Sequence, residues 1–405
     1  MNMTALALDG GKPVRRAPFA PWPHIAPDEI AATGAVLTSG RINYWTGEEG
    51  RNFEREFAGY AGTRYGVALA NGTVALELAL LALGIGPGDE VIVTCRSFVA
   101  SAGAVVLRGA VPVFADIDPE SQNITVATIR PRLTERTRAI IVVHLAGWPC
   151  DMEAIMALAA AHDLKVIEDC AQAHGARFRN RPVGSFGHAA AFSFCQDKIM
   201  TTGGEGGMLL TDDPEIWERA WSYKDHGKNF RKSLGTSAGN GFQYVHDSFG
   251  TNWRMTEMQA AIGRRQLGKL DGWVAQRRQH AAALTAGFRE LPALRVTAPA
   301  GECYHSYYKY YAFLRSERLR PGWDRDRVVA AIRAEGVPCF TGSCPEIHRE
   351  QSFRDAGLQP SHPLPVAREL GETSLMFLVH PTLGGEEILD TRRAVAKVLG
   401  AATRA

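Results

Sequence analysis

The chain has 405 residues, in which 45 lysines and arginines face 43 aspartates and glutamates. A net charge of +2 is too small for a polyanion partner held by counterion release, and 45% hydrophobic with 22% charged residues is a globular make-up. A nonspecific nucleic-acid binder, a disordered chain and a collagen-like chain are therefore excluded.

At roughly 150 residues per domain the length predicts two or three packed units. No apolar run approaches the roughly 20 residues of a membrane span, and the N-terminus lacks a secretory signal pattern. The seven cysteines form no C-x-x-C pair, which argues against a disulfide framework or a zinc site, so a reducing cytoplasm is the expected location.

In chain order, short β-branched runs at 67–70, 91–94, 111–115, 139–143, 165–169, 190–194 and 208–211 read as strands. They lack polar alternation, which predicts burial on both faces. Helical patterns over 74–83, 99–107 and 152–162 lie between them, so the expectation is an α/β domain with a mainly parallel, seven-stranded sheet flanked by helices. Residues 224–241 form the most polar, glycine-rich stretch and read either as a surface loop or as a lid over a site.

Near residue 255 the character changes. The stretch 257–291 reads as one long helix, with Arg264, Arg265, Lys269, Arg277 and Arg278 on its polar positions, leaving the first domain. Beyond it, a strand at 309–314, a helix at 323–335, a strand at 337–340 and a closing helix at 388–402 predict a smaller α+β unit. The expected division is a large domain over 1–255, whose N-terminal segment packs on the smaller one, and a C-terminal domain over 256–405 that includes the linking helix.

Three short stretches carry chemistry. Asn71-Gly72-Thr73 precedes a helix and reads either as an ordinary N-cap or as a turn whose backbone N–H groups bind a phosphate. Asp169 ends an apolar strand, at the sheet edge where parallel sheets bind ligands, and is either a solvated strand end or the partner of a cationic ring nitrogen. Lys198 follows the next strand on a glycine-rich turn and is either an ordinary solvated lysine or one that burial turns into a Schiff-base nucleophile. The glycines at 203–207 lack the following helix and acidic residue of a dinucleotide loop. Together and in this order, the three match the needs of pyridoxal phosphate: a phosphate cradle, a carboxylate that keeps the ring nitrogen protonated, and an amine for the aldehyde.

The chain also resembles the DegT/StrS-type sugar aminotransferases, pyridoxal-phosphate enzymes similar to aspartate aminotransferase (fold-type I). The likeness lies in residues 71–76, 97–101, 143–147, the Glu168-Asp169-Cys170-Ala171-Gln172-Ala173-His174-Gly175-Ala176 segment, Phe192-Ser193-Phe194 with Lys198, Asn252-Trp253-Arg254-Met255, and His380-Pro381-Thr382-Leu383. The resemblance implies that Lys198 holds the cofactor as an imine, Asp169 pairs with its ring nitrogen, Gln172 bonds its phenolic oxygen and Phe98 stacks on its ring. It further implies that Gly72, Thr73 and Ser193 hold the phosphate, joined by Asn252 from a second subunit of a homodimer that shares its active sites.

Two departures stand out. Asn71 replaces the usual serine of the phosphate turn, and residues 341–348 lack the family's aromatic, proline-rich pattern, which leaves the substrate open. The implied reaction passes an amino group from glutamate or glutamine to a keto-sugar, nucleotide-linked in the leading reading. A keto-cyclitol or an aminated aromatic precursor is the alternative. Relatives that act as sugar dehydratases carry histidine in place of the imine lysine, so Lys198 favours transamination; a non-catalytic regulator would be expected to lose Lys198 or Asp169. Arg181, Lys228, Arg231 and Lys232 are candidate pyrophosphate cations, with a solvated surface as the alternative. Asn43, Tyr44, Trp45, Tyr307, Tyr308 and Lys309 are candidates for a sugar pocket, with core packing as the alternative for the aromatics.

Overall fold

The computed structural model describes residues 5–234 and 243–403. Its central sheet contains β1 (Tyr65–Leu69), β2 (Glu90–Thr94), β3 (Val111–Ala115), β4 (Thr137–Val143) and β5 (Lys165–Asp169). After the short strands β6 (Arg177–Phe178) and β7 (Arg181–Pro182), it is completed by β8 (Ala189–Ser193) and β9 (Gly207–Thr211). The order across the sheet is β1-β9-β8-β5-β4-β2-β3. From β8 to β3 every pairing is parallel, and β9 runs antiparallel to both β8 and β1. All strands but β9 therefore point one way, as the buried β-branched runs predict.

The two faces are read from the period of two along each strand. Val67, Leu69 and Leu209 enter one core, while Ala68, Met208 and Leu210 enter another on the opposite side. The crossover helices Gly72–Ala82, Ala100–Leu107 and Met152–Ala161 begin and end close to their expected bounds. Asn71 caps the first by accepting the Val74 N–H at 3.0 Å.

The single helix expected over 257–291 is two, Glu257–Leu267 and Leu270–Phe288. Gly268 weakens the helix at the break, and Lys269 is drawn aside into ion pairs with Asp28 (2.7 Å) and Glu29 (3.0 Å) of the helix Pro27–Ser39. The first half stays on the central sheet's side, where Ala260 shares a core with Phe53 and Phe57. The second half carries Ala281, Leu284 and Phe288 into a separate core.

That core lies on an antiparallel sheet of β10 (Leu294–Arg295), β12 (Tyr310–Leu314), β14 (Ser374–Phe377) and β13 (Cys339–Phe340), in that order; β11 (Cys303–Tyr304) pairs with β6 instead. The strand expected at 337–340 is shorter than read, and β14 fills the position beside it. Leu6 joins this second core, the N–H groups of Ala7 and Val14 donate to the Glu335 carboxylate (2.8 and 3.0 Å), and Arg15 pairs with Glu387 and Asp390. The N-terminal segment thus packs on the C-terminal sheet's unit.

Of the polar stretch 224–241, Lys224 ends the helix Pro214–Lys224 and Phe230–Leu234 is helical; from 235 the stretch lies outside the described residues. Among the described residues no helix is long and apolar enough to cross a membrane.

Candidate active site

β1, β5 and β8 end at the same edge of the sheet, on Leu69, Asp169 and Ser193. A cavity of about 880 Å³ opens there, and Tyr308, Lys309, Tyr311 and residues 342–344 from the C-terminal unit wall its other side. Gly72, Thr73, Phe98, Asp169, Gln172, Ser193, Lys198 and Lys309 all line it.

Asp169 is buried. Ser101 Oγ–H donates to its Oδ2 at 2.7 Å and the Ala171 N–H to its Oδ1 at 3.1 Å. Burial pushes its carboxyl above the usual range, while those bonds and the charge of Lys198 favour the ionised form. Its neighbour Glu168, facing the other way, is spent on structure. It receives N–H groups from Gly184 (2.8 Å), Phe186 (2.7 Å) and Gly187 (2.7 Å), and His144 Nε2 lies 3.0 Å away. Because the Cys150 N–H donates to His144 Nδ1 at 3.0 Å, the His144 proton sits on Nε2, pointing at Glu168. Burial works against ionisation of Glu168, but these donors outweigh it and hold its carboxyl below the usual range.

The Lys198 turn is fixed by its backbone. The Lys198 N–H donates to the Cys195 carbonyl at 3.0 Å, and the Phe194 N–H to that of Gly206 at 2.8 Å. Lys198 Nζ lies 3.6 Å from Asp197 and 5.0 Å from the centre of the Tyr308 ring, and the Tyr308 hydroxyl donates to Asp197. Gln172 accepts the Ala146 N–H at 2.9 Å through Oε1, which leaves its amide NH₂ free to donate.

At the phosphate turn the helix Gly72–Ala82 presents its N-terminus to the cavity. A Cβ on Gly72 would stand 2.5 Å from Ser193 Cβ, so only bare backbone fits beside that serine.

The model of the DegT/DnrJ/EryC1/StrS aminotransferase family matches residues 23–396. The chain belongs to this family. The X-ray structure of an aminotransferase from Psychrobacter cryohalolentis is 51% identical, with a TM-score of 0.93, covering 95% of this chain and 100% of that one. The UDP-N-acetyl-3-dehydro-alpha-D-glucosamine 3-aminotransferase of Acidithiobacillus ferrooxidans is 39% identical over 378 residues, 93% of this chain and 96% of its own. The L-glutamine:2-deoxy-scyllo-inosose aminotransferase of Streptomyces paromomycinus is 40% identical over 348 residues, 83% of this chain and 81% of its own. Aminotransferases of this family are pyridoxal-phosphate enzymes, and the α/β fold with its mainly parallel sheet is theirs.

Several positions expected to line this aminotransferase's sugar pocket lie elsewhere in the chain. Tyr44 is buried, where its hydroxyl donates to Glu54 at 3.0 Å and its ring carries the Lys224 ammonium at 3.5 Å. It satisfies a buried carboxylate rather than facing the cavity. Trp45 Nε1–H donates to Asp225 at 2.9 Å, and Lys228 pairs with the same carboxylate at 3.3 Å, so both are committed away from the cavity. Tyr307 stacks on His305 with ring centres 3.8 Å apart, because its left-handed backbone (φ 48°) turns the chain so that Tyr308 and Lys309 meet the cavity instead.

Arg181 is bonded to Ser185, Arg231 pairs with Glu218 (3.0 Å) and Lys232 with Asp247 (2.6 Å). Asn252 is exposed, bridges to Asp225 and lies outside its own chain's cavity. His174 packs against Phe192 and Phe194 with no hydrogen-bond partner for either side-chain nitrogen. Sequence reasoning gave no role to Asp197 or Ser101. Adjacency to Lys198 was the one available signal for the former, and the latter meets Asp169 only through tertiary folding.

Proposed function

We propose that this enzyme passes the amino group of glutamate or glutamine to a ring ketone of a sugar, with pyridoxal 5′-phosphate as the carrier. The observation that carries this reading is the meeting of Asp169 and Lys198 in one cavity beneath the bare N-terminus of the helix Gly72–Ala82. The residues present fit that cofactor, since the missing Cβ of Gly72 lets the helix N-terminus pack directly beside Ser193, so that backbone N–H groups and the Ser193 hydroxyl border one cavity.

Gly72, Thr73 and Ser193 hold the phosphate, Phe98 covers a ring face, and the free NH₂ of Gln172 donates to the phenolic oxygen. When bound, the cofactor supplies an electron sink for negative charge on the reacting carbon. Asp169, fixed by Ser101 and Ala171, holds a proton on the ring nitrogen. Lys198 Nζ moves the proton at the reacting carbon, and Asp197 with Tyr308 keeps that amine from swinging out of the cavity. The site is shared by two copies of the chain, with Asn252 of the partner subunit completing the phosphate cradle; its exposure outside its own cavity supports this.

A nucleotide-linked keto-sugar is the leading acceptor. A keto-cyclitol is the second reading, and one observation favours it: among the described residues that this chain contributes to the cavity lining, Lys198 and Lys309 are the only lysines or arginines, so any further cation for a pyrophosphate would have to come from the partner subunit. A panel of nucleotide keto-sugars and keto-cyclitols, offered with nitrogen-labelled glutamate and glutamine, tests both. Label in one ring amine identifies the acceptor. A protein that takes up no pyridoxal phosphate, or that eliminates a ring hydroxyl without amination, overturns the reading.

A further inference from the structure

Lys309 stands just before β12, and its side chain lines the cavity. Its Nζ rests 4.7 Å from the centre of the Tyr308 ring, the same ring that Lys198 Nζ meets at 5.0 Å. The two amines of the cavity therefore share one aromatic wall. Among the described residues no carboxylate lies within ion-pair distance of Lys309. Asp197, whose charge acts on Lys309, is already engaged by the Tyr308 hydroxyl and by Lys198.

Behind them Arg277 is fully buried, has no carboxylate partner among the described residues and donates to the carbonyls of Tyr307 (3.4 Å) and Tyr308 (3.2 Å). It anchors the segment that presents Lys309 and adds to the positive potential there. Burial, with help from Arg277 and Lys198, brings the Lys309 ammonium down to about 8, still mostly protonated at neutral pH. A largely buried cation without a counter-ion is costly unless a ligand supplies the anion.

The two reactants differ in what they can supply. An amino acid donor carries a carboxylate one bond from its reacting carbon, whereas a ring ketone carries carbon there. Lys198 must reach that reacting carbon, so the cation that receives the carboxylate has to stand near Lys198. The helix N-terminus at Gly72 is the place for a phosphate, and Lys309 is the remaining cation of the cavity.

We propose that Lys309 is the carboxylate-binding residue of this cavity, taking the α-carboxylate of the amino donor and so holding the donor's reacting carbon beside Lys198. This rests on the transamination reading above.

The test uses the holoenzyme, its Lys309→Gln and Lys309→Arg variants, and two probes followed by the absorbance of the Lys198-bound cofactor. One probe is 2-methylglutamate, which has the α-carboxylate but no proton to lose. The other is 4-aminobutyrate, which lacks that carboxylate. Lys309→Gln is expected to weaken 2-methylglutamate by about 30-fold or more, the lower end for losing one partner of a buried charge pair. Affinity for 4-aminobutyrate and the KM of the keto acceptor should stay within about twofold, and Lys309→Arg should recover part of the loss. Unchanged 2-methylglutamate affinity in a yellow Lys309→Gln enzyme overturns the assignment and leaves transamination standing. Loss confined to the acceptor overturns it as well, by giving Lys309 to an anionic group on the sugar. A wild-type protein that binds no pyridoxal phosphate fails the underlying reading instead.

Discussion

The indole Nε1–H of Trp22 donates to the backbone carbonyl of Lys198 across 2.9 Å. The Trp22 ring is held in turn by Arg277 (5.0 Å to its centre), by Trp273 edge-on (5.2 Å) and by His380 in a stack (6.0 Å). Thr382 fixes the preceding residue by donating to the Pro21 carbonyl at 2.8 Å. Three distant parts of the chain thus meet around Trp22, which alone reaches the backbone of Lys198. The His380-Pro381-Thr382 motif finds a use here, as a clamp on the N-terminal segment.

Trp22→Phe keeps an aromatic ring at this place but removes the donor and part of the packed indole. One neutral hydrogen bond is worth about 1 kcal/mol, so a loss of about 3- to 10-fold in kcat is expected if the bond serves to place Lys198. Acceptor KM should hardly move. A stopped-flow measurement of each half-reaction reads this directly, and an unchanged kcat with lowered stability would reduce the bond to a packing role.

Gly72→Ala puts a methyl group against Ser193, at 2.5 Å between Cβ atoms in the present backbone. Either the helix N-terminus or Ser193 must give way, and both belong to the proposed phosphate cradle. The expected result is cofactor affinity weakened by tenfold or more, about 1.4 kcal/mol, together with some loss of thermal stability in the cofactor-free protein from the crowding. Titration with pyridoxal phosphate measures it, and wild-type affinity in the variant would remove Gly72 from the cradle.

Most of the central sheet could be read from sequence because its strands are apolar runs punctuated by helices, a pattern with one solution. Asp169 and Lys198 stood out for related reasons: Asp169 ends an apolar strand and Lys198 lies on the turn that follows another, and strand ends are where a parallel sheet exposes chemistry. What escaped was set by folding at long range. Trp22 lies 176 positions from Lys198, and no local pattern joins them. Tyr44 and Tyr307 have a composition suited to a sugar pocket, but residue type does not say which way a side chain points. A buried Glu54 claims the first, and a left-handed turn diverts the second onto His305. β14 is four residues long, too short for its own period to declare it.

His174 supplies a pH test of stability. Burial, reinforced by the charges of Lys198 and Arg277, lowers its imidazolium pKa to about 3, whereas the unfolded chain titrates near the ordinary 6.5. Between those values the unfolded state binds a proton that the folded state refuses. The contribution of His174 to stability is therefore complete above pH 6.5 and is lost as pH falls towards about 3, at a limiting slope of about 1.4 kcal/mol per pH unit. In urea unfolding at pH 6 and pH 5, wild type should lose about 1 kcal/mol more than His174→Leu. Parallel losses in the two proteins would show that His174 takes up its proton while folded.

Gly342 sits at φ 93°, where a side chain is strained, and a Cβ there would run into the ring of Tyr311. That ring is not free to retreat. Its hydroxyl accepts the Ser343 N–H at 2.9 Å, and the buried Arg96 lies over it at 5.7 Å, held by Gln122 (3.0 Å) and by Ser374 of β14 (3.2 Å). Gly342→Ala should consequently move the cavity wall formed by Gly342, Ser343 and Cys344, on the side away from Asp169. If that wall receives the acceptor ring, acceptor KM rises by about tenfold or more, the equivalent of about 1.4 kcal/mol, while cofactor uptake and the donor half-reaction stay as in wild type. Steady-state kinetics with the aminated substrate of the panel, set beside single-turnover reaction with the donor alone, separates these effects. Equal damage to both half-reactions would mean that the 342–344 segment supports the whole cavity and does not select the acceptor.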